Sequence, residues 1–236
     1  MTALPETVTK VLNEFLEAAK KACGTRLEAA VLFGSAAEGR LRPASDVNLI
    51  LVLSSFEADA AAALAPQLRF AESAIKLRVM FLLASEIPAA ATAFAQKFSD
   101  IAKRRLVLHG ADPFVGTTPP REALQRQVDQ VLLNLGIRLR ERAASGWQHE
   151  DLLGRTLADA VGPLRACAQS ILELGGRSAE SPKAALEALL STDGGMHPHL
   201  PGYYSRLRER SPEPGTVGKA LMETMELIAW MRKRNI

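Results

Sequence analysis

Apolar and polar positions change rhythm several times along this chain, and each rhythm predicts a different element. From Pro5 to Cys23 the apolar residues Val8, Val11, Leu12, Phe15, Leu16 and Ala19 follow the i, i+3, i+4, i+7 spacing of an amphipathic helix. Pro5 suits its first turn and Gly24 its end. Leu27 to Phe33 and Val47 to Leu53 are short, dense apolar runs and predict strands. Phe56 to Ala74 is alanine-rich and helical in composition, with Pro66 expected to break or kink it. Ile75 to Leu83 predicts a third strand, with Lys76, Arg78 and Met80 on one face and Leu77, Val79 and Phe81 on the other. Ala90 to Leu108 returns to a helical pattern that is expected to end at Gly110, His109 serving as a C-terminal residue favoured by the helix dipole.

The character of the chain changes at residues 110–120. GADPFVGTTPP holds two glycines and three prolines and reads as a junction. No strand signal follows it. Arg121 to Ser145 carries Leu124, Val128, Val131, Leu132, Leu135 and Leu139 as one helical stripe. Asp151 to Leu174 predicts a second helix, stopped by Gly175-Gly176. Ser181 at the N-cap and Pro182 at the first helical position open a third, running through Leu190. GGMHPHLPGYY reads as a loop, and Gly215 to Arg234 as a final helix. The expected fold class is therefore α+β: a mixed sheet with flanking helices over residues 1–115, then an all-helical bundle of about four helices over 116–236.

Composition narrows the function classes. Of the 236 residues, 47% are hydrophobic and 23% charged, the balance of an ordinary soluble globular protein. A net charge of +3 is too small to argue for nucleic acid, and 5% aromatic residues leave no stacking platform for single strands. MTALPETVTKVLNEF lacks the basic and apolar blocks of a signal peptide, and no apolar run approaches the ~20 residues that span a bilayer. Cys23 and Cys167 are expected to be buried, reduced thiols, which suits a cytoplasmic protein.

Residues 31–53, VLFGSAAEGRLRPASDVNLILVL, concentrate the candidate chemistry. An apolar run ends in Gly34-Ser35, a loop with glycine and proline follows, and Ser45-Asp46 opens the second run. This arrangement closely resembles the signature of the nucleotidyltransferase superfamily, the DNA polymerase β-like group that holds the kanamycin and streptomycin nucleotidyltransferases. There, Gly-Ser is followed about ten residues on by Asp-x-Asp. The resemblance implies transfer of a nucleoside monophosphate from a nucleoside triphosphate to an acceptor hydroxyl. It also implies a mixed α/β catalytic domain followed by a helical bundle, with RLVLHGADPF resembling the junction between them.

The chemistry behind that signature is direct. Two divalent ions about 3.5–4 Å apart hold the attacking and leaving oxygens in line, and Mg²⁺ prefers carboxylates and phosphates as ligands. Acids at i and i+2 of a strand share one face. Gly34 lets the backbone approach the phosphates, while the Ser35 hydroxyl and nearby amides bind their oxygens. Ser45 flanks the same site. The resemblance makes Asp46 a catalytic residue and metal ligand, Asn48 the occupant of the second acid position, and a strand near Arg78 the source of a third acid.

Three departures change the picture. Asn48 offers a neutral oxygen where the family has a carboxylate. The third acid should fall on IKLRVMFLL, whose inward candidates are Lys76, Arg78 and Met80. Glu38 stands where active relatives carry an arginine, and its charge is expected to push phosphate away. One retained carboxylate supplies −1 to ions that the family meets with −3, which argues against Mg²⁺ binding and full catalysis. Lys76 and Arg78 are either solvated strand residues or fixed cations that neutralise phosphate in place of a metal.

The leading expectation is thus a nucleotidyltransferase-fold protein with lost or strongly reduced turnover and residual nucleotide binding. Two alternatives stay open. The first is an active metal-dependent enzyme with Glu72, Glu86 or Asp100 as replacement acids; the second is an interaction protein, dimeric through the bundle, without nucleotide affinity. A plainer role for Asp46 is that of a loop cap. His197 and His199 could ligate a metal, but no further ligand stands at suitable spacing, so a loop role is favoured. The basic clusters Lys103-Arg104-Arg105, Arg138/Arg140/Arg142 and Arg232-Lys233-Arg234 read as solvated helix faces. Trp147, Tyr203 and Tyr204 read as core packing in preference to an acceptor pocket.

Overall fold

The computed structural model describes residues 4–39, 41, 45–191, 196–209 and 213–234. Two compact units divide the chain, Met1–Pro119 and Pro120–Ile236. The first is α+β and the second is helical.

In the first unit, α1 (Glu6–Cys23) is followed by β1 (Leu27–Phe33), β2 (Val47–Leu53), α2 (Ala58–Ile75) and β3 (Leu77–Leu83). Then come α3 (Ile87–Ala93), α4 (Ala95–Lys103) and β4 (Arg105–Gly110). The sheet order is β3-β2-β1-β4, with β2 and β3 parallel and the other pairs antiparallel. Its central strands are apolar on both faces because both faces are covered. Leu32, Leu49, Leu51 and Leu77 pack against α1 and α2, while Val31, Ile50, Val52 and Leu82 pack against α3, α4 and Phe114.

Four expectations need correction here. Residues 105–110 are a fourth strand and not the end of a helix, so His109 sits opposite Ala30 in the sheet. Of a break or a kink at Pro66, the break does not occur: helix α2 continues through Pro66 to Ile75. Lys76 is consequently not a strand residue: it ends α2 in the left-handed conformation, at φ 53°. Within GGMHPHLPGYY, residues 194–195 lie outside the described residues, and Leu200 opens a helix where a loop is expected.

The second unit comprises α5 (Arg121–Gly146), α6 (Glu150–Leu174), α7 (Pro182–Ser191), α8 (Leu200–Glu209) and α9 (Val217–Arg234) among the described residues. The stripe on α5 is buried except at the half-buried Val131, with Val128 and Leu132 fully enclosed. The Ser181 hydroxyl caps α7 by accepting the Ala184 N–H at 3.1 Å.

Tyr204 lies wholly inside this unit, its hydroxyl 2.8 Å from that of Thr224. Burial pushes its phenol well above the usual tyrosine range, and the Thr224 hydrogen bond only partly opposes that. A raised folded-state pKa stabilises the fold below the unfolded value, about 10, and that contribution fades as pH rises beyond it. Denaturation midpoints followed by circular dichroism between pH 8 and 12 should therefore fall on the alkaline side, and Tyr204→Phe should flatten the fall. At neutral pH the same variant should cost only about 0.5–1.5 kcal/mol, because Thr224 keeps its bond to the Ala220 carbonyl. An unchanged alkaline slope in Tyr204→Phe would assign that slope to other groups.

Candidate functional site

The two halves of the signature meet at one end of the sheet. Phe33, the last residue of β1, pairs with Asn48 near the start of β2, so Gly34-Ser35 and Ser45-Asp46 stand side by side. Gly34 adopts φ +73°, a region costly for any residue with a Cβ. A Cβ added there would lie 3.9 Å from the Asn48 amide nitrogen, which measures how closely the turn and the second strand approach.

The Gly34 N–H is already spent. It donates to the Arg104 carbonyl at 3.0 Å, and the Gly34 carbonyl accepts from Ala37 at 3.1 Å. What remains for a ligand is the half-buried Ser35 hydroxyl, together with Ser45, the exposed Asp46 and the half-buried Asn48. None of these four side chains has a partner among the described residues.

Strand register decides which side chain stands next to Asn48. In the parallel β2–β3 pair Asn48 is matched with Arg78, and matched residues project to the same face. That face also carries Phe33, Ile50 and Met80. Arg78 is exposed and has no ion-pair partner among the described residues. Thus the residue abutting the second acid position is a free guanidinium.

Lys76 occupies a different place. Its carbonyl accepts the Val47 N–H at 3.2 Å, which ties it to the mouth of β2. Its side chain is exposed and, with Ser45, lines a cavity of about 290 Å³ whose walls include Pro5, Thr7 and Ile75. Lys76 and Arg78 do not share one strand face, and Arg78 alone stands opposite Asn48.

Glu38 has an ion-pair partner that its place in the sequence does not announce. Arg104 reaches it at 3.3 Å and also binds Asp100, through Nε at 2.6 Å and through Nη2. Glu38 is thereby ion-paired, through a guanidinium that it shares with Asp100. The pattern gave no hint of this, since Arg104 and Arg105 fall in a run that reads as a solvated basic cluster. Arg105 is likewise engaged, with Asp112 at 2.8 Å.

The candidate replacement acids are placed as follows. Glu86 caps the far end of β3, accepting the Leu83 N–H at 3.0 Å. Six residues of strand at ~3.3 Å each put it roughly 20 Å from Asp46. Asp100 is held by Arg104, and Glu72 lies exposed on α2. Among the described residues no group of three or more acids, histidines or cysteines could hold a metal ion. Asp46 at −1 and Arg78 at +1 sum to zero where a two-metal site needs several negative ligands. These residues do not fit Mg²⁺.

His197 and His199 do not form a ligand set either; they bond to Glu226 at 2.8 Å and Glu223 at 2.9 Å on α9. Trp147 is half exposed and packs beside Gly218, whereas Tyr203 bonds Thr216. Both cysteines are buried and neither forms a disulfide. No helix among the described residues is long and apolar enough to cross a membrane.

No family model matches this chain, and no curated protein matches it. Solved structures do. The mixed sheet followed by a helical unit is shared with a nucleotidyltransferase of known structure. That neighbour, one of several, is spectinomycin adenyltransferase AAD(9) from Enterococcus faecialis, whose crystal structure holds ATP and spectinomycin. It superposes with a TM-score of 0.64 at 13% identity, over 96% of this chain and 98% of that one. A likeness at that identity establishes the fold.

Proposed function

We propose that this chain binds a nucleoside triphosphate through its phosphates, without metal, and has lost most or all nucleotidyl transfer. The reaction associated with the fold, transfer of a nucleoside monophosphate to an acceptor hydroxyl, is the chemistry from which the site departs. One observation carries the reading: Arg78 stands in register with Asn48, a fixed cation beside a neutral amide where the family has acids. A guanidinium binds phosphate oxygens in a bidentate way and needs no divalent ion to do so. Ser35 and Ser45 supply neutral donors on either side, and Lys76 adds a second cation at the rim of the cavity that Ser45 lines.

Retention of one acid fits this reading. Asp46 is exposed, so its charge is screened and its repulsion of a phosphate modest. Nothing in the positions of Glu72, Glu86 or Asp100 favours an active enzyme with replacement acids.

Calorimetric titration with ATP, GTP, CTP and UTP, with and without Mg²⁺, tests the proposal. Saturable binding is expected without Mg²⁺, changing less than about twofold when the ion is added. Arg78→Ala should weaken it about tenfold or more, as expected for loss of a charged hydrogen-bond pair worth ~1.5–3 kcal/mol. Binding that requires Mg²⁺ and vanishes in Asp46→Ala would refute the proposal, and so would the absence of binding to all four nucleotides.

A further inference from the structure

The helical unit holds a basic groove whose lining includes no residue of the signature. Helices α5 and α6 pack along their length and leave a groove of about 230 Å³ between them. Arg138 and Arg142, one turn apart on α5, enter it from one side, and Arg155 of α6 enters from the other. Asp159 is the single acid in the lining, so the walls carry three positive charges against one negative. Leu135 and Leu139 form an apolar floor.

Several arginines of the chain are ion-paired, and among the described residues these three are not. Arg26 is met by Glu57 and Asp59, Arg104 by Asp100 and Glu38, Arg105 by Asp112, and Arg232 by Asp129. Arg138, Arg142 and Arg155 have no ion pair or side-chain hydrogen bond among the described residues. Like charges at i and i+4 on one helix repel, and Arg155 adds a third from across the groove. Arg140, between the two on α5, points elsewhere: its guanidinium lies 3.4 Å from where a Cβ on Gly136 would sit. The basic run on α5 is thus split, with two members committed to the groove.

We propose that this groove binds a small organic anion carrying two negative charges beside an apolar body, of the phosphate-monoester class. The charge calls for a dianion, since three guanidiniums against one carboxylate leave +2 to be neutralised. The leucine floor calls for an apolar body beside it. The volume sets the size: about 230 Å³ is below the ~300–1,000 Å³ of pockets that enclose drug-sized ligands. A compact ester fits it better than a whole nucleotide does. Binding here does not depend on the nucleotide reading of the first unit.

Phenyl phosphate serves as the probe, with inorganic phosphate and phenol as its charge-only and ring-only halves. In NMR titration of the full chain, phenyl phosphate should saturate in the millimolar range or tighter. Each half should bind at least tenfold more weakly. Arg142→Ala/Arg155→Ala should weaken phenyl phosphate at least tenfold, while Arg126→Ala, at an exposed position of α5 outside the groove, should leave it unchanged. Asp159→Asn removes the one repelling charge and should tighten binding several-fold, a gain that misfolding cannot produce. The proposal is overturned if wild type does not bind phenyl phosphate, if Asp159→Asn does not tighten it, or if Arg142→Ala/Arg155→Ala does not weaken it. Equal binding of phenyl phosphate and inorganic phosphate would overturn the role of the floor.

Discussion

Asn48→Asp/Arg78→Glu is expected to give the protein a Mg²⁺-dependent affinity for ATP that the wild type lacks. The two positions are register partners on adjacent strands, so both new carboxylates would face the same way and join Asp46 at one end of the sheet. The double change moves the local charge of positions 46, 48 and 78 from zero to −3, the set that two hard cations need. Ligand-shell changes far smaller than this alter metal affinity by 10–100-fold, so a Mg²⁺ effect of at least that size is anticipated. The single variants sharpen the test. Asn48→Asp alone places its carboxylate beside Arg78, where the two will pair with each other and leave little for a metal. Arg78→Glu alone supplies two acids around a neutral amide and should give an intermediate response. ATP titrations of the four proteins, each with and without Mg²⁺, decide the matter. A folded double variant as indifferent to Mg²⁺ as the wild type would mean that the missing acids are not what keeps metal away.

Gly110→Ala is expected to be among the most destabilising single substitutions outside the core. The added Cβ would lie 1.9 Å from the Glu28 carbonyl oxygen and 3.1 Å from the Ala29 Cα, both backbone atoms that no rotamer change can move. Gly110 also sits at φ +73°. Overpacking at roughly 1–3 kcal/mol and a left-handed residue at roughly 1–2 kcal/mol together suggest about 2–5 kcal/mol. Gly116 separates the two contributions, because it has the same φ of +73° but nothing within 4 Å of its Cβ position. Gly116→Ala should therefore cost only the conformational part, roughly 1–2 kcal/mol. Urea denaturation of both variants checks this, and equal losses would show that backbone strain alone governs Gly110.

Local signals made much of the fold readable. Strands β1 and β2 are dense apolar runs bounded by turn residues, and α1 and α5 keep a helical stripe over several turns, so their own residues suffice to define them. Strand β4 is a different case. It lies at the sheet edge with mostly half-exposed residues, and Phe98 and Ile101 just before it continue a helical spacing, so RLVLHG reads as more of the same helix. Helix α8 was masked by Gly202, which suggests a loop, although Pro201 near its start is a helix-opening signal.

The candidate site divides along the same line. Gly34, Ser35, Ser45 and Asp46 announce themselves through turn chemistry, which is local. That Arg78 faces the site follows from alternation, but its match with Asn48 is a matter of register between strands 30 residues apart. The pairing of Glu38 with Arg104, 66 residues away, depends on where α4 ends against the Gly34 turn. No spacing rule reaches that far.

Lys76 shows how little separates this site from a different one. A single left-handed residue joins α2 directly to β3 with no intervening loop. That turn sets the phase of the strand. With one residue more or fewer at this joint, and the helix unmoved, Arg78 would swing to the face now held by Leu77 and Val79. An apolar side chain would then stand beside Asn48. The electrostatic character of the sheet's end is therefore decided outside it, by the length of a hinge one residue long.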